Sequence, residues 1–374
     1  MAGLYIHIPF CKSRCIYCGF YSTVSLASRQ RYVEAVCREM ELRSLKADGC
    51  QVQIDTIYLG GGTPSQLTPD QLRQLFLYIN KVYAPNPQEV TIEVNPDDVT
   101  PAYAALLSEL PINRISMGAQ TFDNGRLGFL HRRHTAQQVV QAVRQLRDAG
   151  FDNISIDLMY GFPNESLSQW EHDIDAALSL HVEHLSAYCL MIEEGTVLHE
   201  RMQQGCGEMP PCDEDTERQM YDVLIDRLTA AGYEHYELSN FAKPGHRSLH
   251  NSSYWQDVPY IGLGAAAHSY SMNQRTWNVS DIRQYMEAIE EGRIPFEAEW
   301  LDDDTRYNDR ITVTLRTREG LDLTMLKDRY RRYCEHEAQR FIDSGLLRRC
   351  GNRLVLTRQG LFVSDYIMSS LIYA

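Results

Sequence analysis

The sequence is short of several things, and each shortage excludes a class of protein. No stretch of its 374 residues approaches the roughly 20 consecutive apolar residues that cross a bilayer. Its first residues show no basic segment followed by an apolar stretch and a cleavage site. The expected setting is therefore the cytoplasm, with peripheral membrane contact left open. Basic charge is not in excess either: 36 Lys and Arg stand against 50 Asp and Glu, for a net charge of −14. That balance excludes a generic nucleic-acid binder, because phosphate contact needs a basic face. It does not exclude an anionic small molecule in a local basic pocket. There are no repeats and no GxxxxGK[ST] phosphate loop. Ten cysteines without an export signal belong to a reducing compartment, where thiols serve metals or cores more often than disulfides.

What is present is a strand-then-helix rhythm. Strand-like segments occur at Leu4–Pro9, Ile54–Leu59, Glu89–Pro96, Asn113–Gln120, Asn153–Pro163 and His184–Met191. Of the helical segments between them, the clearest runs from an N-cap at Thr135 to a stop at Gly150, with Val139, Val140, Val143 and Leu146 on one face. Six such units predict parallel strands in an incomplete TIM-like (β/α)6 barrel of α/β class. In such a barrel the chemistry collects at the C-terminal ends of the strands. The residues found there are the loop after strand one, Gly60–Gly62 after strand two, Glu93 and Asn95, Gln120, and Asp157. The pattern changes near residue 200, where an acidic, Pro-containing connection leads to a helix from about Asp213 to Ala231. A second boundary falls near residue 300. The expected division is a barrel over 1–200, an extension carrying "HNSSYW" over 201–300, and a small winged-helix-like module with a hairpin at "GLLRRCGNRLVLT" over 301–374.

The loop after strand one reads "CKSRCIYCGF", with Cys11, Cys15 and Cys18 spaced C-x3-C-x2-C. A structural zinc site needs four ligands, usually as two separated pairs, and no second pair follows. A disulfide cannot use three thiols. Three thiolates can hold three irons of a 4Fe-4S cluster and leave one iron open to a small molecule. "GGGTP" reads either as a tight turn or as a place where backbone approaches a ligand closely. Glu93, Gln120, Asp157 and Arg132 read equally as ligand contacts or as core and surface polar groups.

Together "YIHIPFCKSRCIYCGF", "GGGTPS", "IEVNP", "GAQTF", "IDLMYGFP" and the C-terminal module resemble the radical S-adenosylmethionine (SAM) family of oxygen-independent coproporphyrinogen III oxidases. The resemblance runs from Tyr5 to near the C-terminus. It implies a 4Fe-4S cluster on Cys11, Cys15 and Cys18, with SAM on the open iron. It also implies SAM contacts from Tyr5, Tyr17, Gly61, Gly62, Thr63, Glu93, Gln120, Arg132, Asp157 and Met191.

Two departures separate this chain from the oxidases themselves. Phe20 stands where they carry a further cysteine, and strand one begins at residue 4, where they carry an N-terminal arm. Conversely, "HNSSYW" resembles the HNxxYW motif of the related HemW-type heme chaperones. That branch implies heme as a ligand, a heme-acceptor protein and an electron donor as partners, and His250, Tyr254 and Trp255 as heme contacts. Imidazole is a ready axial ligand and the two aromatic rings could flank a macrocycle. The bland alternative is a loop whose aromatics cap a small core. Cys206 and Cys212 are rival heme ligands, and Arg132, Arg133 and Arg247 are options for the propionates. The expected function is heme trafficking. The alternative is oxidative decarboxylation of coproporphyrinogen III, and the weakest reading is a nucleic-acid reader built on Arg329, Arg331, Arg332, Arg348 and Arg349.

Overall fold

The computed structural model describes residues 2–46, 53–203 and 211–373. Six βα units open the chain. They are β1 (Ala2–Ile8) with α1 (Arg29–Lys46), β2 (Ile54–Gly61) with α2 (Pro69–Tyr83), and β3 (Glu89–Val94) with α3 (Pro101–Ser108). Then follow β4 (Arg114–Gln120) with α4 (Asn124–Phe129) and α5 (Ala136–Asp148), β5 (Ile154–Tyr160) with α6 (Leu167–Ser179), and β6 (His184–Cys189). The strands bury nearly every residue, as parallel strands covered on both faces do. Helices α2, α5 and α6 each begin with a capping box, Thr68, Thr135 and Ser166 with a Gln three residues on. The expected apolar face of α5 is corrected at one position. Val139, Ala142, Val143 and Leu146 are buried while Val140 is exposed, since one residue along a 3.6-residue helix turns about 100° away from the core.

Strands β1 to β6 pair in chain order and all in parallel. Among the described residues no pairing joins β6 back to β1, so the six strands form the open barrel that the rhythm predicts. Both edges are extended. After α7 (Val197–Gln203) and α8 (Glu214–Ala230), β7 (Glu234–Glu237) and β8 (Asn240–Ala242) add antiparallel strands beside β6. After α9 (Leu249–Trp255), β9 (Tyr260–Leu263) pairs in parallel with the free side of β1. The antiparallel strands β10 (His268–Ser271) and β11 (Gln274–Asn278) continue outward, and past α10 (Ile282–Glu290) β12 (Phe296–Trp300) ends a sheet of twelve strands. No described helix is long and apolar enough to cross a membrane.

A separate hydrophobic cluster, including Tyr307, Ile311, Cys334, Phe341, Leu354 and Ile367, lies toward the C-terminus. It is enclosed by α11 (Asp303–Thr314), α12 (Asp328–Asp343), the hairpin β14 (Leu347–Cys350) and β15 (Arg353–Leu356), with β13 (Leu321–Asp322) on the other side of β15. The arginines singled out for nucleic acid are largely paired here, Arg329 with Asp304 and Arg349 with Glu335.

The β9–β11 extension is tied to α1 by one buried carboxylate. Glu39 accepts from Arg43 Nε at 2.9 Å, Gly264 N at 2.8 Å, Asn278 Nδ2 at 2.9 Å and the Tyr285 hydroxyl at 2.6 Å. Removing it leaves donors around a fully buried position without their shared acceptor, so Glu39→Ala is expected to cost about 3–5 kcal/mol. Urea denaturation followed by circular dichroism measures this; a loss below about 1 kcal/mol would show that these donors find other acceptors.

Candidate functional site

The cysteine loop is held from outside. Cys11 N donates to Thr23 O at 2.9 Å and Thr23 N to Pro9 O at 2.7 Å, which closes the loop at its base. The "GGGTP" turn then clamps its start: Gly62 N donates to Ile8 O and Thr63 N to Phe10 O, both at 2.9 Å. The Thr63 hydroxyl reaches Cys11 Sγ at 3.4 Å. Two of the glycines are required by this arrangement. Gly61 has φ +106 and a Cβ there would lie 2.3 Å from His7 Nδ1; at Gly62 a Cβ would lie 2.7 Å from Ile8 O. The amides of Gly62 and Thr63 are thus committed to the loop and that of Gly61 to Glu93, so the segment shapes the loop.

Facing the loop are polar residues from the ends of β3, β4 and β5. Glu93 accepts from the Tyr58 hydroxyl at 2.8 Å and from Gly61 N at 3.1 Å. Burial, with the charge of Asp157 nearby, raises its carboxyl to about 7, and burial raises that of Asp157 to about 6. Gln120 ends β4 with a left-handed φ of 67, an uncommon conformation for a non-glycine residue. Arg132 donates to Asn95 Oδ1 at 2.8 Å and to Gly118 O at 2.6 Å, and its Nη1 lies 3.6 Å from Cys15 Sγ. Its buried Nε has no acceptor among the described residues.

These groups line one cavity of about 190 Å3. It brings together Cys11, Cys15, Cys18, Tyr17, Gly61, Gly62, Thr63, Glu93, Gln120, Arg132 and Asp157, with Phe20 at its edge, 70% exposed. Tyr5 is not in the lining. Its hydroxyl is 3.0 Å from His7 Nδ1 and its ring leans on Tyr58, which places it behind the cavity wall. Met191 is also outside, 69% exposed beyond the end of β6. Sequence reasoning passed over Tyr58, which orients Glu93, and gave no role to Asn95, which joins Arg132 to Thr63. Their only signal was position near the end of a strand.

The residues fit an iron-sulfur cluster better than a single ion. Among the described residues no three His, Cys, Asp or Glu side chains converge on one ion position. Burial holds the Cys11 and Cys18 thiols above the ordinary range, and neighbouring thiols add to this. Thiolates are the ligating form, and bound metal supplies the positive charge that stabilises them.

The "HNSSYW" segment forms α9, away from this lining. His250 is 0% exposed and both ring nitrogens are engaged, Nδ1 2.8 Å from Thr56 Oγ1 and Nε2 2.9 Å from the Tyr254 hydroxyl. Burial lowers its pKa to about 3, so the ring is neutral. In this arrangement His250 lines neither cavity beside Trp255, and both of its nitrogens are held inside the protein, by Thr56 and by Tyr254. Tyr254 and Trp255 do face space. A cavity of about 310 Å3 is lined by both and by Tyr260, Tyr270, Arg275 and Arg310. A second, of about 420 Å3, shares Trp255, Asp257 and Arg310 with the first and adds Tyr236, Arg247 and Arg353. The Trp255 indole N–H is buried with no acceptor among the described residues. Of the arginines considered for propionates, Arg247 lines this groove, whereas Arg132 and Arg133 line the cysteine cavity. Cys212 lies apart, beside Glu217, and Cys206 falls outside the described residues.

Comparison with known proteins gives the chain's relatives. Residues 5–177 match the model of the radical SAM superfamily, and residues 301–363 that of the HemN C-terminal domain. The heme chaperone HemW of Bacillus subtilis (strain 168) is 34% identical, over 100% of this chain and 99% of its own length. That of Mycobacterium tuberculosis (strain ATCC 25618 / H37Rv) is also 34% identical, over 99% and 94%. In fold, the chain is similar to the Escherichia coli radical SAM enzyme coproporphyrinogen III oxidase (HemN). The TM-score is 0.85 at 20% identity, covering 99% of this chain and 90% of the other.

Two outcomes test the site. Cys15→Ser is expected to abolish the visible absorption of the reconstituted cluster while circular dichroism remains that of a folded chain, because the barrel core does not include the loop. Complete unfolding would instead make the cluster a structural necessity. The raised Glu93 carboxyl binds protons more tightly in the folded state than in the unfolded chain, so its contribution is favourable at low pH and is lost as pH rises through about 7. In the cluster-free protein, Glu93→Gln is expected to gain stability relative to wild type by about 3 kcal/mol between pH 4 and pH 8. Paired urea titrations across that range measure it, and a flat difference would refute the burial of a charged carboxylate.

Proposed function

We infer function from family and geometry together: the chain belongs to the radical SAM superfamily and, within it, to the family of proteins named heme chaperone HemW. Its function is to bind heme and pass it to an acceptor protein, with a 4Fe-4S cluster and SAM held in the barrel. The observation that carries this reading is the end-to-end identity with the heme chaperones, over 100% of this chain and 99% of the Bacillus subtilis relative. The likeness to coproporphyrinogen III oxidase is one of fold.

In this reading Cys11, Cys15 and Cys18 hold three irons, and the bound cluster with SAM supplies one-electron chemistry. Glu93 and Asp157 accept hydrogen bonds from the amino and hydroxyl groups of SAM, Gln120 adds a polar contact, and Tyr17 packs beside the adenine. Arg132, anchored by Asn95 and Gly118, sets a fixed positive charge beside Cys15. Tyr5 supports the wall through Tyr58 and His7. Met191 has no part in it.

Heme is assigned to the groove on the two sides of Trp255. The groove suits a flat amphipathic ligand: Tyr254, Trp255 and Tyr260 offer aromatic surface, and Arg247, Arg310 and Arg353 stand along the wall for propionates. Several of these arginines already face carboxylates, Arg310 with Asp257 and Arg247 with Glu234 and Glu319. A propionate therefore competes with existing pairs, which suits a carrier that must release its cargo. The unpartnered Trp255 indole N–H is a further donor in the groove wall.

Phe20 bears on the alternative. A bulky apolar ring at the edge of the cysteine cavity replaces the thiol that the oxidases carry there, leaving the site without that group. The test is anaerobic and uses protein whose cluster has been verified. Hemin is expected to bind at one equivalent per chain, and Trp255→Ala to weaken it by about tenfold, a loss of about 1.4 kcal/mol. With SAM, reductant and coproporphyrinogen III, no protoporphyrinogen is expected by mass spectrometry. Its formation would make the chain a decarboxylase, and failure to take up hemin would remove the carrier reading.

A further inference from the structure

One continuous file of side chains joins the cysteine cavity to the Trp255 groove. It starts at Glu93, which holds the Tyr58 hydroxyl at 2.8 Å. The Tyr58 ring stacks on His250 with centroids 5.2 Å apart at 29°. His250 Nε2 meets the Tyr254 hydroxyl at 2.9 Å, with the two rings edge to face at 5.2 Å. Tyr254 in turn packs edge to face on Tyr260 at 4.7 Å, and both rings line the groove.

The fold makes room for this file at two glycines. A Cβ on Gly60 would lie 2.7 Å from Tyr58 Cε1 and 2.8 Å from Glu93 Oε1, and one on Gly3 would lie 3.1 Å from His250 Cε1. Side chains packed this closely have no slack, so a shift at one end must be taken up by the next. The middle of the file also has two discrete states. His250 is neutral and lies between two hydroxyls, Thr56 on Nδ1 and Tyr254 on Nε2. With the proton on Nε2, the imidazole donates to Tyr254 and accepts from Thr56; with the proton on Nδ1, both bonds reverse. The Tyr254 hydroxyl is an acceptor in one state and a donor in the other. A two-state element that both ends can bias is the physical requirement for coupling between sites.

We propose that His250 is a positioning residue through which occupation of the cavity at Glu93 sets Tyr254 and so the affinity of the groove for tetrapyrrole. The consequence for heme rests on the reading of the two cavities given above. By reciprocity, hemin must change the affinity for SAM by the same factor.

The test uses the full chain with its cluster reconstituted, hemin and SAM as probes, and hydrogen exchange as a readout independent of heme. In wild type, saturating SAM is expected to change the hemin Kd at least about fivefold, hemin to change the SAM Kd equally, and exchange across residues 249–255 to differ with and without SAM. Tyr58→Phe keeps the ring but removes the hydroxyl from Glu93, and is expected to bring both factors to one and abolish the exchange difference. His250→Gln should do the same; should it fail to fold, Tyr58→Phe carries the test. Equal hemin affinity with and without SAM, or coupling that persists in Tyr58→Phe, overturns the proposal. If wild type takes up no hemin, the carrier function falls, and exchange over 249–255 on adding SAM alone decides the link: a difference lost in Tyr58→Phe upholds it and no difference refutes it.

Discussion

The arrangement depends on the position of β1 between β2 and β9. Its parallel pairing with both puts the first strand of the chain in the middle of a twelve-stranded sheet. The loop leaving its C-terminal end therefore emerges among the ends of β2 to β5, where the carboxylates and Gln120 are. The same strand explains Gly3. Beside it, Thr56 of β2 and His250 of α9 fill the space a side chain would take, so the extension locks onto the barrel across β1. A loop of three thiols has little internal structure. Its shape is borrowed from β1, from the Gly61–Thr63 turn and from Thr23, and it persists only while those strands stay in register.

How far the sequence revealed this varies with the range of the interactions involved. The six βα units were legible because parallel strands buried on both faces are short apolar runs, and their helices announce themselves by T-x-x-Q and S-x-x-Q starts. The cavity followed from one rule, that chemistry gathers at strand C-termini, and that rule also collected Glu93, Gln120 and Asp157. Strands β7 to β12 were not legible. They are three to five residues long, and the pairings that place them on the sheet, β8 against β6 and β9 against β1, join segments far apart in sequence, so no local pattern marks that placement. The surroundings of His250 were hidden for a related reason. A histidine between Asn and Leu has no sequence sign that Thr56 and Tyr254 will take both its nitrogens, because one partner comes from a strand 194 residues earlier. Met191 follows β6 as the other site residues follow their strands, but the chain there turns outward and leaves it in solvent.

Electrostatics give the cysteine cavity its character. Glu93 and Asp157 are both buried carboxyls raised by desolvation, and Cys11 and Cys18 are buried thiols raised in the same way. Each group resists ionisation, and each would be stabilised as an anion by positive charge brought from outside. Iron in a cluster supplies that to the thiols. A ligand bearing an ammonium and a sulfonium supplies it to the carboxylates. Arg132, the lining cation beside the Cys15 sulfur, is restrained by Asn95 and Gly118. The cavity is thus unfavourable by itself and favourable when filled, which ties retention of the cluster to retention of its ligand.

The groove around Trp255 is built on a different principle. Its arginines already hold carboxylate partners, so an anionic ligand gains little net charge stabilisation and depends on aromatic surface for its affinity. Such a site binds through shape, and shape is what a neighbouring side chain can change. Tyr254 belongs both to the wall of the groove and to the buried file from Glu93, so in the proposed coupling it is where the cavity side reaches the wall. A carrier needs its cargo held in one state and released in another. A groove that relies on aromatic fit, with one of its rings hydrogen bonded to a neutral histidine, can change its fit without moving a charge.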